Sequence, residues 1–285
     1  MSQKLKIRVF LGVSIICWAI IACWAMYTHQ QGSAVDPIYD TIHGDIYSTV
    51  DTFAVYDAAP TREFDNISGV VAADPQNDAA SAAETMSLLA EYVDGGTVAV
   101  IAFGNTNGVE ACGGDWGWQG SYGVIQTDKE AVAALEESGL FRDNKVLNDT
   151  VSLGMIMDYF SYYLPGVSVV PFVLDEGASV AEIKETLAQY KNILSSYPVV
   201  VVTPTASGEV PLNNDFSPVT VTVGSLNTMD LSGQFNREAI LALTAFGQLL
   251  PPEAAVHIFP HTEYKNDEAQ EVGEYFSDLQ IICEK

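Results

Sequence analysis

Two patterns of apolar positions occupy different parts of the chain. From about residue 67 onward, short apolar runs alternate with longer amphipathic stretches. The runs at 68–74, 97–103, 167–174 and 198–205 are rich in small and β-branched residues and too short for helices. They predict strands buried on both faces. The stretches between them predict helices at 78–96, 127–139, 150–164, 179–196 and 236–250. Their ends carry helix signals. Asp78 is a candidate N-cap and Gly95-Gly96 a stop, Thr127…Glu130 and Ser179…Glu182 read as capping boxes, and Pro165-Gly166 ends the third helix. Late strands are expected at 255–259 and 274–283. Helices alternating with buried strands predict a three-layer α/β/α fold with a mostly parallel central sheet. Ligands in such sheets sit at the carboxyl ends of the strands, which here means the loops 73–78, 104–114 and 203–210.

The second pattern is a single continuous run. Val9 to Tyr27 contains no charged residue and follows Lys4, Lys6 and Arg8. A run of this length is enough to span a bilayer, and the basic flank predicts that the remainder is exported. Residues 1–27 therefore read as a transmembrane signal anchor, with the main domain extracytoplasmic. A cleaved signal peptide is the alternative, although Cys23-Trp24-Ala25 makes a poor cleavage site. Ile20-Ile21-Ala22-Cys23 also resembles a lipobox. Residues 28–65 read as a linker and irregular lead-in, and 66–285 as the α/β domain.

Charge narrows the partners. The net charge is −25, and all 37 acidic residues follow Tyr27, with only nine of the twelve basic ones. Such an exported part repels nucleic acid and anionic lipid. Membrane contact is expected through the N-terminal helix alone. Of the four cysteines, Cys17 and Cys23 lie in the apolar run, and Cys112 and Cys283 lie beyond it. Their pairing is open at this level. The absence of a CxxC motif excludes thioredoxin-like chemistry and zinc ribbons.

The segment 104–123 is the least ordinary, with seven glycines, two tryptophans and no histidine. The chain's only histidines are His29, His43, His257 and His261, none in a strand-end loop. An iron or zinc site needs about three converging ligands, so the sequence supplies no evident set and no cofactor is expected. Asp74, Asp78, Glu110, Asp115 and Glu209 would suit a weakly held divalent cation if they converged, without EF-hand spacing to support it. Ser207, Thr203, Thr205 and Cys112 are candidate nucleophiles, with Glu209 or Asp74 as the available bases. Trp116, Trp118 and Tyr122 either line a groove or cap the sheet end. Asn66-Ile67-Ser68 and Asn148-Asp149-Thr150 are sequons.

The order of these elements resembles the Memo family, also called AmmeMemoRadiSam system protein B, whose fold is similar to that of the class III extradiol dioxygenases. Five segments of this chain carry the resemblance: Val71-Ala72-Ala73-Asp74; Gly104-Asn105-Thr106-Asn107; Trp118 through Gly123 with Asp128; Thr150-Val151-Ser152 before Leu164-Pro165-Gly166 and Val170-Pro171; and Thr203 through Glu209. Gly104, Trp118, Gly123, Ser152, Pro165, Gly166, Pro171 and Ser207 match the family's scaffold positions. The family's site histidines fall on Ala73 and Asp74, Asn107, Val151 and Gly208, and an aspartate falls on Thr205.

The resemblance thus implies a pseudoenzyme: a non-catalytic protein that binds a small ligand or a protein in a degenerate cleft. Asp74, Asn77, Asn105, Asn107, Trp118, Thr203, Thr205, Ser207 and Glu209 would be the binding residues. One alternative is an enzyme, hydrolase- or dioxygenase-like, with a metal-assisted site rebuilt from Asp74, Asn77, Asn107, Thr205 and Glu209. Another is a structural envelope protein, expected if Val151 and Ala73 fill the cleft.

Overall fold

The computed structural model describes residues 41–43, 64–72, 75, 79–203, 219–228, 237–260 and 279–284. The apolar run 9–27 lies outside them, and among the described residues no helix is long and apolar enough to cross a membrane.

The strands are β1 (Thr41–His43), β2 (Ile67–Ala72), β3 (Thr97–Gly104), β4 (Ala111–Gly113), β5 (Gly117–Gly120), β6 (Gly123–Thr127), β7 (Phe141–Arg142), β8 (Ser168–Asp175), β9 (Val199–Val202), β10 (Val219–Thr222), β11 (Ala255–Pro260) and β12 (Leu279–Glu284). The helices are α1 (Ala79–Ala90), α2 (Lys129–Glu137), α3 (Asn144–Asp149), α4 (Val151–Tyr163), α5 (Val180–Leu194), α6 (Val223–Leu226) and α7 (Arg237–Leu249). The strands join in the order β1-β5-β6-β8-β3-β9-β2-β12-β11-β10, with β4 and β7 off this path. The five central strands β6, β8, β3, β9 and β2 are mutually parallel, and β12, β11 and β10 extend the sheet antiparallel.

Strand pleat sends successive side chains to opposite faces. On one face Ala99, Ile101 and Phe103 meet Val170, Phe172, Leu174, Val199 and Val201 under α2, α5 and α7. On the other, Val98, Val100 and Ala102 meet Val70, Val200 and Val202 under α1 and α4. Because both faces are covered, these strands show near-continuous apolar sequence rather than alternation. Hence the three-layer α/β/α architecture.

The chain connections reverse direction across this sheet. The helix after β2 lies on one face and the helix after β8 on the other, with β9 inserted between β3 and β2. Such a reversal leaves a crevice at the carboxyl ends of the strands.

Several local expectations are corrected. The glycine-rich segment 104–123 is not one loop: it contains β4 and β5, and β5 pairs antiparallel with β6. Glycine is needed there for close approach. A Cβ on Gly117 would lie 2.7 Å from the Ile125 carbonyl oxygen, and one on Gly120 would lie 2.5 Å from Ser161 Oγ of α4. The hairpin is further tied to α4 by the Ser121 N–H donating to Asp158 Oδ1 at 2.6 Å.

The lead-in is not wholly irregular either, since Thr41–His43 pairs parallel with β5. Thr127 is not a cap. It closes β6 and donates to the Trp116 carbonyl at 2.6 Å, while Asp128 caps α2 by accepting from the Ala131 N–H. α1 stops at Ala90, ahead of the left-handed Gly95 and Gly96. The second capping box stands as expected, with Ser179 and Glu182 bonding reciprocally. Strand β12 covers 279–284, and 274–278 lie outside the described residues. The helix α3 and the strands β4, β7 and β10 have no counterpart in the apolar pattern.

Phe172 is fully buried in β8 and stacks edge-on to Tyr190 of α5, with ring centroids 5.3 Å apart. Phe172→Ala is expected to cost about 3–5 kcal/mol of unfolding free energy, read as a lowered midpoint in urea denaturation.

Candidate functional site

The carboxyl ends of β3 and β8 are fastened to each other. The Glu176 N–H donates to the Gly104 carbonyl at 3.0 Å, and the Asp175 N–H to the Glu110 carbonyl at 3.2 Å. Thr106, only 1 % exposed, sits between these loops. Its hydroxyl is shared between the Val109 carbonyl and Asp175 Oδ2, the latter at 2.9 Å. The other oxygen of Asp175 accepts from the Gly177 N–H at 2.9 Å. Asp175 therefore acts as a hub between two loops.

Asn105 and Asn107 flank the buried Thr106 and are both exposed. Asn107 has φ 56°, alone among non-glycine residues described, and its N–H donates to Asn105 Oδ1 at 2.9 Å. Asn tolerates this left-handed geometry through such local bonding. The result is a small amide-bearing rim on a rigid base.

Gly104 backs onto α4, where a Cβ would lie 2.6 Å from Thr150 Oγ1. Thr150 occupies the N-cap position of α4 yet makes no side-chain cap, because its hydroxyl donates to the Val146 carbonyl at 2.8 Å. Val151 follows and is 44 % exposed. It therefore leaves that end of the helix open rather than plugging it. Thr203, at the end of β9, is bonded to the Ala72 carbonyl of β2 through both its N–H, at 3.1 Å, and its hydroxyl, at 3.4 Å. Asn105, Asn107, Val151 and Thr203 thus share one end of the sheet.

Other expected residues lie elsewhere. Trp118 is not a groove residue: it is 1 % exposed and packs in the core with Ile125, and its indole N–H has no partner among the described residues. Asp115 is committed to Arg142 at 3.0 Å and to the Asn144 amide at 3.0 Å. His257 lies on β11, in the antiparallel extension, between Thr220 and Glu284 at 3.0 Å each. Ala73, Asp74, Asn77, Asp78, Thr205, Ser207, Gly208, Glu209, His29 and His261 lie outside the described residues. Among the described residues no three His, Cys, Asp or Glu side chains form a group that would hold a metal ion.

Cys112 and Cys283 are both free and buried, and they belong to opposite faces of the sheet. Burial pushes the Cys112 thiol up to about 11, with Asp143 and Asp175 adding to the effect. Burial does the same for Cys283, also to about 11. A thiol that stays protonated is a poor nucleophile, which removes Cys112 from the candidates.

Three tyrosines cluster where the β5–β6 hairpin meets the end of α4. Tyr122 at the hairpin tip meets Tyr162 at 4.8 Å, and Tyr162 meets Tyr163 at 4.8 Å, both edge-to-face. The only sequence signal of this cluster was the Tyr162-Tyr163 pair closing α4. No family model matches the chain, and no curated protein matches it.

Two outcomes are expected here. Asn107→Gly should leave thermal stability almost unchanged, whereas Asn107→Val should lose about 1–2 kcal/mol from left-handed strain. Both thiols should resist iodoacetamide at neutral pH in the folded chain and react after denaturation, read by mass spectrometry. Their folded pKa values are raised above the ordinary 9.0. Their contribution to stability is therefore complete below pH 9.0 and is lost as pH rises through about 11. Denaturation midpoints should fall across that window, and less in Cys112→Ala.

Proposed function

We propose that this chain is a membrane-tethered, extracytoplasmic binding protein of Memo-like build. It recognises a small ligand or a protein partner, without catalysis, at the carboxyl ends of its parallel strands. The observation that carries this reading is the rim Asn105-Thr106-Asn107. Where the resemblance places a site histidine, Asn107 stands exposed in a left-handed turn anchored by the buried Thr106–Asp175 contact. Amides at that position donate and accept hydrogen bonds but do not titrate or displace a leaving group. Rigid loops that present polar groups bind at a low entropic cost. The basic flank and uncharged run at 4–27 support the tether, and the acidity of the remainder supports an aqueous, exported setting.

The test is a photo-crosslinking amino acid placed at position 107 in the membrane-resident chain, with position 137 of α2 as control. A discrete adduct is expected at 107 and absent at 137, and Thr106→Val should weaken it by loosening the rim. Elemental analysis after incubation with Fe²⁺, Zn²⁺, Ca²⁺ and Mg²⁺ serves as the counter-test. Tight stoichiometric iron or zinc, or equal adducts at both positions, would overturn the reading.

A further inference from the structure

The turn that carries Asn107 also holds a reactive pair. Thr106, Asn107, Gly108 and Val109 form a tight turn whose central residues both have positive φ, 56° at Asn107 and 90° at Gly108. That is the signature of a type I′ turn, which favours Asn-Gly. Asn107-Gly108 is the only Asn-Gly pair in the chain. Asparagine is chemically labile where the next backbone nitrogen can reach its side-chain carbonyl carbon, and a following glycine offers that nitrogen with no Cβ in the way.

The folded structure leaves this pair open to react. Both residues are exposed. A Cβ added to Gly108 would meet nothing within 4 Å, so the approach over the turn is clear. Neither the Asn107 side-chain amide nor the Gly108 N–H makes a hydrogen bond among the described residues. The backbone bond that closes the turn, from the Val109 N–H to the Thr106 carbonyl, is 3.4 Å, longer than the ordinary range. The base of the turn is held separately, by the Thr106 hydroxyl on Asp175 at 2.9 Å. The crown can therefore open while its base stays in place.

Asn105 in the same loop is a contrast. It is equally exposed, but its Oδ1 accepts from the Asn107 N–H at 2.9 Å, and the residue after it is the buried, β-branched Thr106. A branched, buried successor hinders the same attack.

We propose that Asn107 is a site of spontaneous deamidation. The Gly108 nitrogen attacks the side-chain carbonyl carbon of Asn107. A new C–N bond forms, the bond to the side-chain nitrogen breaks, and that nitrogen leaves as ammonia, carrying off the proton lost by Gly108. The resulting succinimide takes up water and reopens at either carbonyl, as aspartate or isoaspartate. Water is the sole co-reactant, and nothing is oxidised or reduced. Both products put a carboxylate where a neutral amide stood, in a loop that already carries the exposed Glu110. Isoaspartate also routes the main chain through the former side chain, which lengthens the turn. The consequence for binding rests on the rim reading: a charged, displaced rim no longer recognises its ligand, so recognition is lost as the protein ages.

Ageing the purified full chain in detergent and mildly alkaline heavy-oxygen water tests the assignment, with digestion in ordinary water and mass spectrometry of each asparagine. Labelled aspartate and isoaspartate are expected at 107 and neither at 105. Thr106→Val, which frees the turn from Asp175, should speed their appearance about two- to tenfold, the worth of one hydrogen bond. Product at 107 in urea but not in the folded chain, equal product at 105, or aspartate without isoaspartate would overturn the proposal. Competition reads the effect on recognition. Fresh chain should suppress the adduct formed by the crosslinker at position 107, and aged chain should suppress it less, in proportion to its modified fraction. Equal suppression by both overturns the loss of recognition. Deamidation without any adduct removes the rim reading and leaves the chemistry of Asn107 standing.

Discussion

Val199, Val200, Val201 and Val202 are all shut off from solvent, and their strand is hydrogen-bonded to β3 on one side and β2 on the other. A strand buried in this way needs apolar cover on both faces, and the rest of the fold supplies it. α5 and α7 cover one face, and α1 and α4 cover the other. With helices on both faces, successive parallel strands connect by crossovers over the sheet. Those crossovers leave their loops at the carboxyl ends, where Asn105, Asn107 and Thr203 lie.

At that end the molecule solves a polar problem. The β3–β4 and β8–α5 loops carry backbone groups that leave the sheet together, and unpaired groups there would be costly. Asp175 and Thr106 absorb much of that demand. Asp175 accepts from the Gly177 N–H and the Thr106 hydroxyl, and its own N–H pairs with the Glu110 carbonyl. The consequence is a rigid rim of exposed amides, held by one carboxylate placed at the end of β8.

The legible part of this structure is the part governed by local rules. The apolar runs placed β2, β3, β8 and β9 to within a few residues, because burial on both faces leaves an unmistakable composition. Ser179 and Glu182 marked the start of α5 because a capping box involves only four consecutive positions. Thr127 and Glu130 made the same pattern and misled, since Thr127 belongs to β6 and leaves the cap to Asp128. The difference is tertiary: Thr127 is paired with Val169 of β8, and no local signal reports that partner. The glycine-rich segment was opaque for the same reason. Its glycines serve contacts with Ile125 and Ser161, the second some forty residues away.

The sequence by itself determined the α/β alternation, the layered architecture and the acidity of the chain beyond Tyr27. It also pointed to the β3–β4 loop, which lies at the carboxyl end of the parallel strands. Those properties are written in composition and short-range periodicity. Only the tertiary structure decided which groups at that edge are free to act. It buried Trp118, kept Cys112 and Cys283 on opposite faces, engaged Asp115 with Arg142, and left Asn107 exposed. Exposure and partnership depend on what long-range packing brings alongside a residue, and that information is not local to it.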